Sequence, residues 1–412
     1  MQLGGMSYEL DAAAHGRLGE YFSEIGKCLR DKRKRASFAM YAFGLLSDGD
    51  RKSAEPIAAR TCGDPSQANG YHLRLLHLLS RASWDDHAVR RVAARHALDA
   101  MGAQEPVSVW IVDDTGMLKQ GSHSVGVQRQ YTGSAGKIAN CQIAVTLSAA
   151  TRYEAVPIDV ALYLPKTWID DEGLRAKARI PEQTTFKTKP QLAIEMIYRA
   201  CLDELPGSIV LADTAYGESS EFRSGLQLYG LDFAVAITAP TKVFLLNDVG
   251  RCRSEAIGVK ELGRKLGPKA FRRVTWRDGT APKKLSSRFC FRRVKVAHDD
   301  GTPLDERQPL WLVIEWPQGE ADPMKFFLTT LPHRMSKKEI VRIIKERWRT
   351  ERVYQEMKGE LGFDHFEGRS FPGWHHHMSV VLCCYAFVVA ERLRHFPPAS
   401  LQAQDGSNRC AA

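Results

Sequence analysis

The chain has 412 residues and a formal net charge of +10, with an isoelectric point near 9.1. That is length enough for about two or three domains. Its 44% hydrophobic and 26% charged content is that of a folded globular protein and excludes a disordered or collagen-like chain. The basic balance points to a polyanionic partner, nucleic acid ahead of an anionic membrane.

Residues 1–103 read as wholly helical. Leu18, Tyr21, Phe22, Ile25 and Leu29 recur at helical spacing, and a basic cluster of Arg30, Lys32, Arg33, Lys34 and Arg35 follows. No basic run leads into an apolar one at the start, so no secretory leader is expected. A short helix at 54–59, a turn-rich break at 62–70 and a helix at 71–81 are compatible with a helix-turn-helix. Such a motif would bring Gln67, Asn69, His72 or Arg74 to DNA, although any helical bundle has such breaks.

From residue 104 the pattern changes to β. The run 107–112 ends in Asp113-Asp114-Thr115-Gly116. Carboxylates at the end of a buried strand build metal sites in α/β folds, while Asp and Gly also end strands as plain turns. Further β-type runs at 124–130 and 138–147 suggest an antiparallel meander, and 155–164 is also extended. A helix over 189–205 leads to a continuous apolar strand, 208–212, that ends in Asp213. A helix at 221–228 and a strand at 231–237 follow.

Residues 240–332 read as a β-rich insertion with a basic face. Arg272, Arg273, Arg277, Lys283, Lys284, Arg288, Arg292, Arg293 and Lys295 lie close together there, interleaved with Trp276, Trp311 and Trp316. The turn signals are Asp278-Gly279 and Asp300-Gly301. Each tryptophan fits a core position as well as a stacking one.

The stretch 336–362 predicts one helix. Ser336 and Glu339 form a capping box, and Gly359 and Gly362 supply the stop. Ile340, Ile344 and Trp348 face a core, and Arg347, Glu351, Tyr354 and Lys358 share an adjacent face. Alone, that face reads equally as solvated ion pairing. The apolar run 379–390 is too short to cross a bilayer and predicts a buried helix. His375, His376 and His377 cannot share one helical face, and Mg²⁺ disfavours imidazole, so packing roles are expected of them. A polar, disordered tail is expected at 396–412. Nine cysteines without a Cys-x-x-Cys pair fit reduced thiols in a cytoplasm.

Meander, helix, strand with terminal Asp, helix, strand and a distant helix bearing Glu is the order of a ribonuclease H-like α/β core. In it Asp113 or Asp114 would converge with Asp213 and Glu351. These hard oxygen ligands suit Mg²⁺ or Mn²⁺, and two such ions would serve an in-line phosphoryl displacement. A regular strand does not turn both Asp113 and Asp114 to one metal.

At these residues the chain resembles bacterial insertion-sequence transposases of the DDE superfamily. One branch carries its Glu in a Tyr-x2-Arg-x3-Glu-x6-Lys signature, and Arg347, Glu351 and Lys358 match it, with Ile344 in the Tyr position. The stretches 112–142 and 211–217 resemble the first and second Asp blocks. The Asp-x-Thr pattern selects Asp113 with Thr115, and a register shift of one selects Asp114. The resemblance implies a helical DNA-binding domain over 1–103, a catalytic core over 104–239 and 333–395, and an insertion over 240–332. It also implies two divalent ions held by Asp113, Asp213 and Glu351, phosphate contacts from Arg347 and Lys358, and cut-and-paste transfer of ends bearing terminal inverted repeats. In relatives the insertion stacks a flipped base on Trp. The implied partners are the element ends and target DNA, bound by a homodimer, with no membrane. The implied setting is a bacterial cytoplasm, on the nucleoid when DNA is bound. A nuclease that cuts without joining, or a DNA-binding regulator without chemistry, would share much of this sequence.

Overall fold

The structure is a computed structural model that describes residues 2–3, 6–7, 12–247, 249–252, 255–277, 285–298 and 301–396. The tail expected at 396–412 lies outside them from 397 on, as do Asp278, Gly279, Lys283, Lys284 and Asp300. The chain is mixed α/β, as expected of a ribonuclease H-like core with helices before it. It divides into two compact units, one of Met1–Val107, Asp114–Pro206 and Arg349–Ala412, the other of Ser108–Asp113 and Gly207–Trp348. The N-terminal helices therefore group with residues 114–206 and 349–395 and are not set apart from them.

The first unit begins with a minimal hairpin, β1 (Gln2–Leu3) and β2 (Met6–Ser7). Helices α1 (Ala12–Lys27), α2 (Lys32–Leu46), α3 (Ala54–Thr61), α4 (Ala68–Ser80) and α5 (Asp86–Gly102) follow. The basic run at the start of α2 opposes the helix dipole. Asp31 offsets it, capping the N–H groups of Arg33 and Lys34 with one carboxylate oxygen. Strand β3 (Val109–Leu118) belongs to both units, and its second half lies beside β5 (Lys137–Ala150). β5 pairs antiparallel with β4 (Gln128–Thr132) and with β6 (Ala155–Tyr163). Short α6 (Lys166–Asp170) and α7 (Glu172–Ala178) lead to α8 (Lys189–Leu202). There Thr188 and Gln191 form a complete capping box.

In the second unit the first half of β3 runs parallel to β7 (Ile209–Ala212), which runs parallel to β8 (Asp232–Ile237). Between them lie α9 (Thr214–Gly217) and α10 (Ser220–Leu228). Gly217 is needed there, because a Cβ would meet the Ala236 carbonyl oxygen of β8 at 1.9 Å. The inserted segment adds β9 (Lys242–Leu245), β10 (Ile257–Gly258), α11 (Val259–Leu266), β11 (Arg272–Arg277), β12 (Leu285–Val296), β13 (Leu310–Glu315) and β14 (Lys325–Thr329). β14 pairs antiparallel with β8 and joins the insertion to the core strands. α11 is the helix in this region that a purely β reading leaves out.

The stretch 336–362 is not one helix. It forms α12 (Lys337–Ile344), a 3-10 turn at Lys345–Trp348, and α13 (Arg349–Leu361). Ser336 accepts from the Glu339 N–H as the capping box requires, but the Glu339 carboxylate turns to Arg342.

α14 (Phe371–His395) is the buried helix expected from its apolar run and forms the spine of the first unit against α2, α4, α5 and β6. Among the described residues no helix is long and apolar enough to cross a membrane. Most polar groups of α14 are matched, while the buried Trp374 Nε1 has no hydrogen-bond partner among the described residues. Tyr21 donates to the Cys383 carbonyl, Tyr385 donates to Glu356, and Arg17 pairs with Glu391 at 2.5 Å. Arg392 holds Glu154 and Glu356. Buried Arg90 is paired with Asp86 and Asp159 and donates to Ser379.

His377 is fully buried. The Gly362 carbonyl can only accept, so His377 Nε2 donates to it at 3.0 Å and Nδ1 accepts from the Tyr41 hydroxyl at 2.8 Å. Burial depresses the His377 pKa to about 3 and that of His375 to about 4. The unfolded chain takes up these protons near pH 6.5 and the folded chain does not, so stability is complete above that pH and falls as pH drops toward the folded values. Thermal melts should therefore show His377 alone contributing about 2 kcal/mol of lost stability between pH 7 and pH 5. The variant His377→Gln should melt lower at pH 7 but with a visibly flatter pH dependence.

Candidate catalytic carboxylates

β3 does not stop before Asp113. It continues to Leu118. Gly116 permits this, since a Cβ there would meet Thr132 Oγ1 of β4 at 1.9 Å. Asp113 is therefore mid-strand, but it is the first residue past the parallel pairing with β7, whose last partners are Val112 and Ala212. Asp213 is likewise the first residue past the pairing on the β7 side. The two Asp residues thus hold level positions at the ends of the paired stretch of adjacent parallel strands in the second unit. Asp213 also caps α9, accepting from the Ala215 N–H at 2.9 Å.

Asp113 is 7% exposed. A carboxylate buried to that degree needs a counter-charge, and Arg347 Nη1 supplies one to its Oδ2 at 2.8 Å. The neighbouring Asp114 belongs to the first unit, where Lys189 Nζ, at the start of α8, lies 3.1 Å from both of its oxygens. Each Asp has its own cation, as the alternation of side chains along a strand leads one to expect.

The 3-10 turn owes its shape to the same demands. Lys345 pairs with Glu315 of β13 at 2.6 Å, and Arg347 reaches Asp113 of β3. The Trp348 ring lies under the Arg277 guanidinium of β11 at 4.3 Å. Neighbouring residues held by different strands override the helical propensity of this stretch. Ile344, in the Tyr position of the signature, is buried.

Glu351 stands exposed in the first turn of α13, in the first unit. On the same helix Lys358 Nζ lies 2.9 Å from Thr115 Oγ1, 2.7 Å from the Gly116 carbonyl and 3.2 Å from Ser134 Oγ. Burial lowers its pKa. Sequence spacing singled out Thr115 beside Asp113 but not its contact with Lys358, and it did not single out Ser134. Among the described residues no group of three or more His, Cys, Asp or Glu side chains is gathered closely enough to hold a metal ion.

Elsewhere the expected site residues divide. Trp316 is buried edge-on to Phe271, Trp276 packs edge-on to Phe289 under Lys345, and Trp311 packs edge-on to Phe291. Arg272, Arg273 and Arg277 are exposed. Arg288, Arg293 and Lys295 instead donate to backbone carbonyls. In the N-terminal helices Arg30, Lys32, Arg33 and Arg35 are exposed, as are Gln67, Asn69 and Arg74 around the α3–α4 break. His376 accepts no metal-like setting. It stacks on Trp84 with ring centroids 4.0 Å apart and bonds to the Leu79 carbonyl.

Comparison with known proteins identifies the family of the chain. The family described as DDE superfamily endonuclease matches residues 24–283, and the transposase DDE domain family matches residues 192–387. The probable transposase for insertion sequence element IS701 of Microchaete diplosiphon is 30% identical over 228 residues, 55% of this chain and 55% of that protein. The chain thus spans about half the length of the curated relative it matches. Members of these families generally use divalent metal ions. With the first family matched over more than half of its length, the chain belongs to the DDE superfamily endonucleases.

Proposed function

We propose that this chain is an insertion-sequence transposase, which binds the terminal inverted repeats of its element and cuts and rejoins DNA by metal-dependent phosphoryl transfer. The observation that carries the reading is the pair Asp113 and Asp213, level with one another past the last residues of the β3–β7 pairing. A pair of carboxylates, with water and substrate phosphate filling the remaining positions, is what Mg²⁺ ordinarily takes from a protein. The donor set therefore fits Mg²⁺ or Mn²⁺, two ions to the site. Asp113 is preferred to Asp114 because Asp113, and not Asp114, is level with Asp213 past the β3–β7 pairing. Glu351 enters as the third ligand on its Arg-x3-Glu-x6-Lys setting. The chemistry such ions supply is Lewis-acid activation of water or a 3′-hydroxyl and neutralisation of the leaving oxygen.

The chain's own residues supply the rest. Arg347 offers a planar fork suited to the phosphate beside the scissile bond. The exposed Arg30, Lys32, Arg33 and Arg35 at the start of α2 give residues 1–103 a face for the terminal repeats. Arg272, Arg273 and Arg277 give the insertion, 240–332, a second basic face. The core, 104–239 with 333–395, carries the chemistry, and a homodimer on DNA would present two ends to one target. Such a protein works in the bacterial cytoplasm, on the nucleoid.

The reading is tested with the element's flanking ends, a target plasmid and Mg²⁺ or Mn²⁺. Asp113→Asn and Glu351→Gln should each lower end cleavage by more than about 100-fold, beyond what losing an outer-sphere partner costs, with end binding retained. Asp114→Asn should stay within about tenfold of wild type, below the roughly 10–100-fold cost of losing an outer-sphere partner, because its carboxylate is held by Lys189. Cleavage that survives Glu351→Gln removes Glu351 from the site, and ends cut but never joined make the protein a nuclease.

Arg347→Met separates two roles of one residue. The slope of log affinity for DNA against log salt should become shallower by about 0.9, one phosphate contact. Affinity for Mn²⁺ without DNA, measured by titration calorimetry, should rise, because Asp113 beside Asp213 then lacks its resident guanidinium.

A further inference from the structure

We infer that Lys358 is a positioning residue, one that locks the helix bearing Glu351 to the strand bearing Asp113, and not the phosphate contact its place in the signature implies. The inference rests on the transposase reading of the site. An ammonium group has three hydrogens and no lone pair. Lys358 Nζ has three oxygen acceptors within 3.2 Å: Thr115 Oγ1, the Gly116 carbonyl and Ser134 Oγ. Thr115 and Ser134 also bond to each other at 3.1 Å. The three hydrogens are thus matched to protein oxygens, from β3 and from the turn that joins β4 to β5.

The lock is one of a series along α13. At the helix start Arg349 donates to the carbonyls of Arg152 and Tyr153 in the turn between β5 and β6. In the middle, the buried Tyr354 hydroxyl meets Thr146 Oγ1 of β5 at 2.6 Å. Lys358 completes the series near the helix end. Val353 and Met357 are buried between these straps. A rigid helix fixed at its start, middle and end holds a side chain in its first turn to the tolerance that metal ligation demands. Glu351 is that side chain, seven residues or about two turns from Lys358 on one face. Thr115 is placed by the same contact, two residues beyond Asp113 on the same side of β3.

A phosphate contact and a lock differ in what salt does to DNA binding. Loss of one phosphate contact makes the slope of log affinity against log salt shallower by about 0.9. For Lys358→Met the slope should be unchanged and the single-turnover cleavage rate should fall at least tenfold. Thr115→Val with Ser134→Ala keeps the lysine charge and removes two of its acceptors. It should lower the cleavage rate likewise, and combining it with Lys358→Met should add much less than the sum of the separate losses. A slope shallower by about one in Lys358→Met, or fully additive losses, overturns the inference. A wild-type chain that neither binds nor cuts DNA overturns the transposase reading instead. The lock is then decided by hydrogen exchange in α13: faster exchange in both variants supports it, and unchanged exchange overturns it.

Discussion

The carboxylate of Asp113 is buried where two parallel strands stop pairing, and a charge so placed is costly unless another charge meets it. Much of the second unit's local geometry answers that demand. Arg347 must reach β3, and it does so from a 3-10 turn, not from the regular helix that the sequence favours. The turn is fixed in turn by Glu315 below Lys345 and by Arg277 over Trp348. Asp213 stands level with Asp113, the first residue past the same pairing on β7.

The first unit answers a different constraint. α14 is buried on nearly every side, so its backbone and side chains must find all their partners inside the protein. Each large apolar side chain on it contributes about 1.5–3 kcal/mol on burial. Several polar ones are matched singly: His377 to Tyr41 and Gly362, Ser379 to Arg90, Tyr385 to Glu356. Through Glu356 this spine also fixes α13, since Arg392 and Tyr385 of α14 both hold that carboxylate. The helix that carries Glu351 is thus held on one side by the spine and on the other by β3 and β5.

Where local pattern decides the structure, the sequence was readable. The apolar run 379–390 is a buried helix, the β-rich insertion is largely strands, and 209–212 is a parallel strand that is apolar throughout. The two Asp blocks stand out in the sequence because each comes after an apolar run. What was not legible depends on distant partners. The break at 345–348 cannot be seen in helix-forming residues, since its cause lies in strands separated from it by 30 residues at Glu315 and 234 at Asp113. Nor do Asp and Gly at 113–116 announce that a strand runs through them. Gly116 makes room for the Thr132 side chain, and Arg347 and Lys189 neutralise the two Asp side chains. The histidine triplet was readable only by exclusion, as residues unsuited to a hard metal, and its hydrogen bonds to Leu79, Gly362 and Tyr41 are long-range facts.

The Arg-x3-Glu-x6-Lys spacing reads as one helical face, with Arg347 and Glu351 one turn apart and Lys358 two turns on. In the folded chain it is two pieces. Glu351 and Lys358 share α13, while Arg347 lies before that helix begins and is bound to the opposite kind of partner, a carboxylate. The cations of the motif are therefore not equivalent. Lys358 has its three N–H donors matched to neutral oxygens of the protein. Arg347 is paired with a carboxylate that divalent ions would also claim. A spacing that marks a family by its regularity thus divides, in three dimensions, into a residue that fixes the helix and one that answers to the charge at the strand heads.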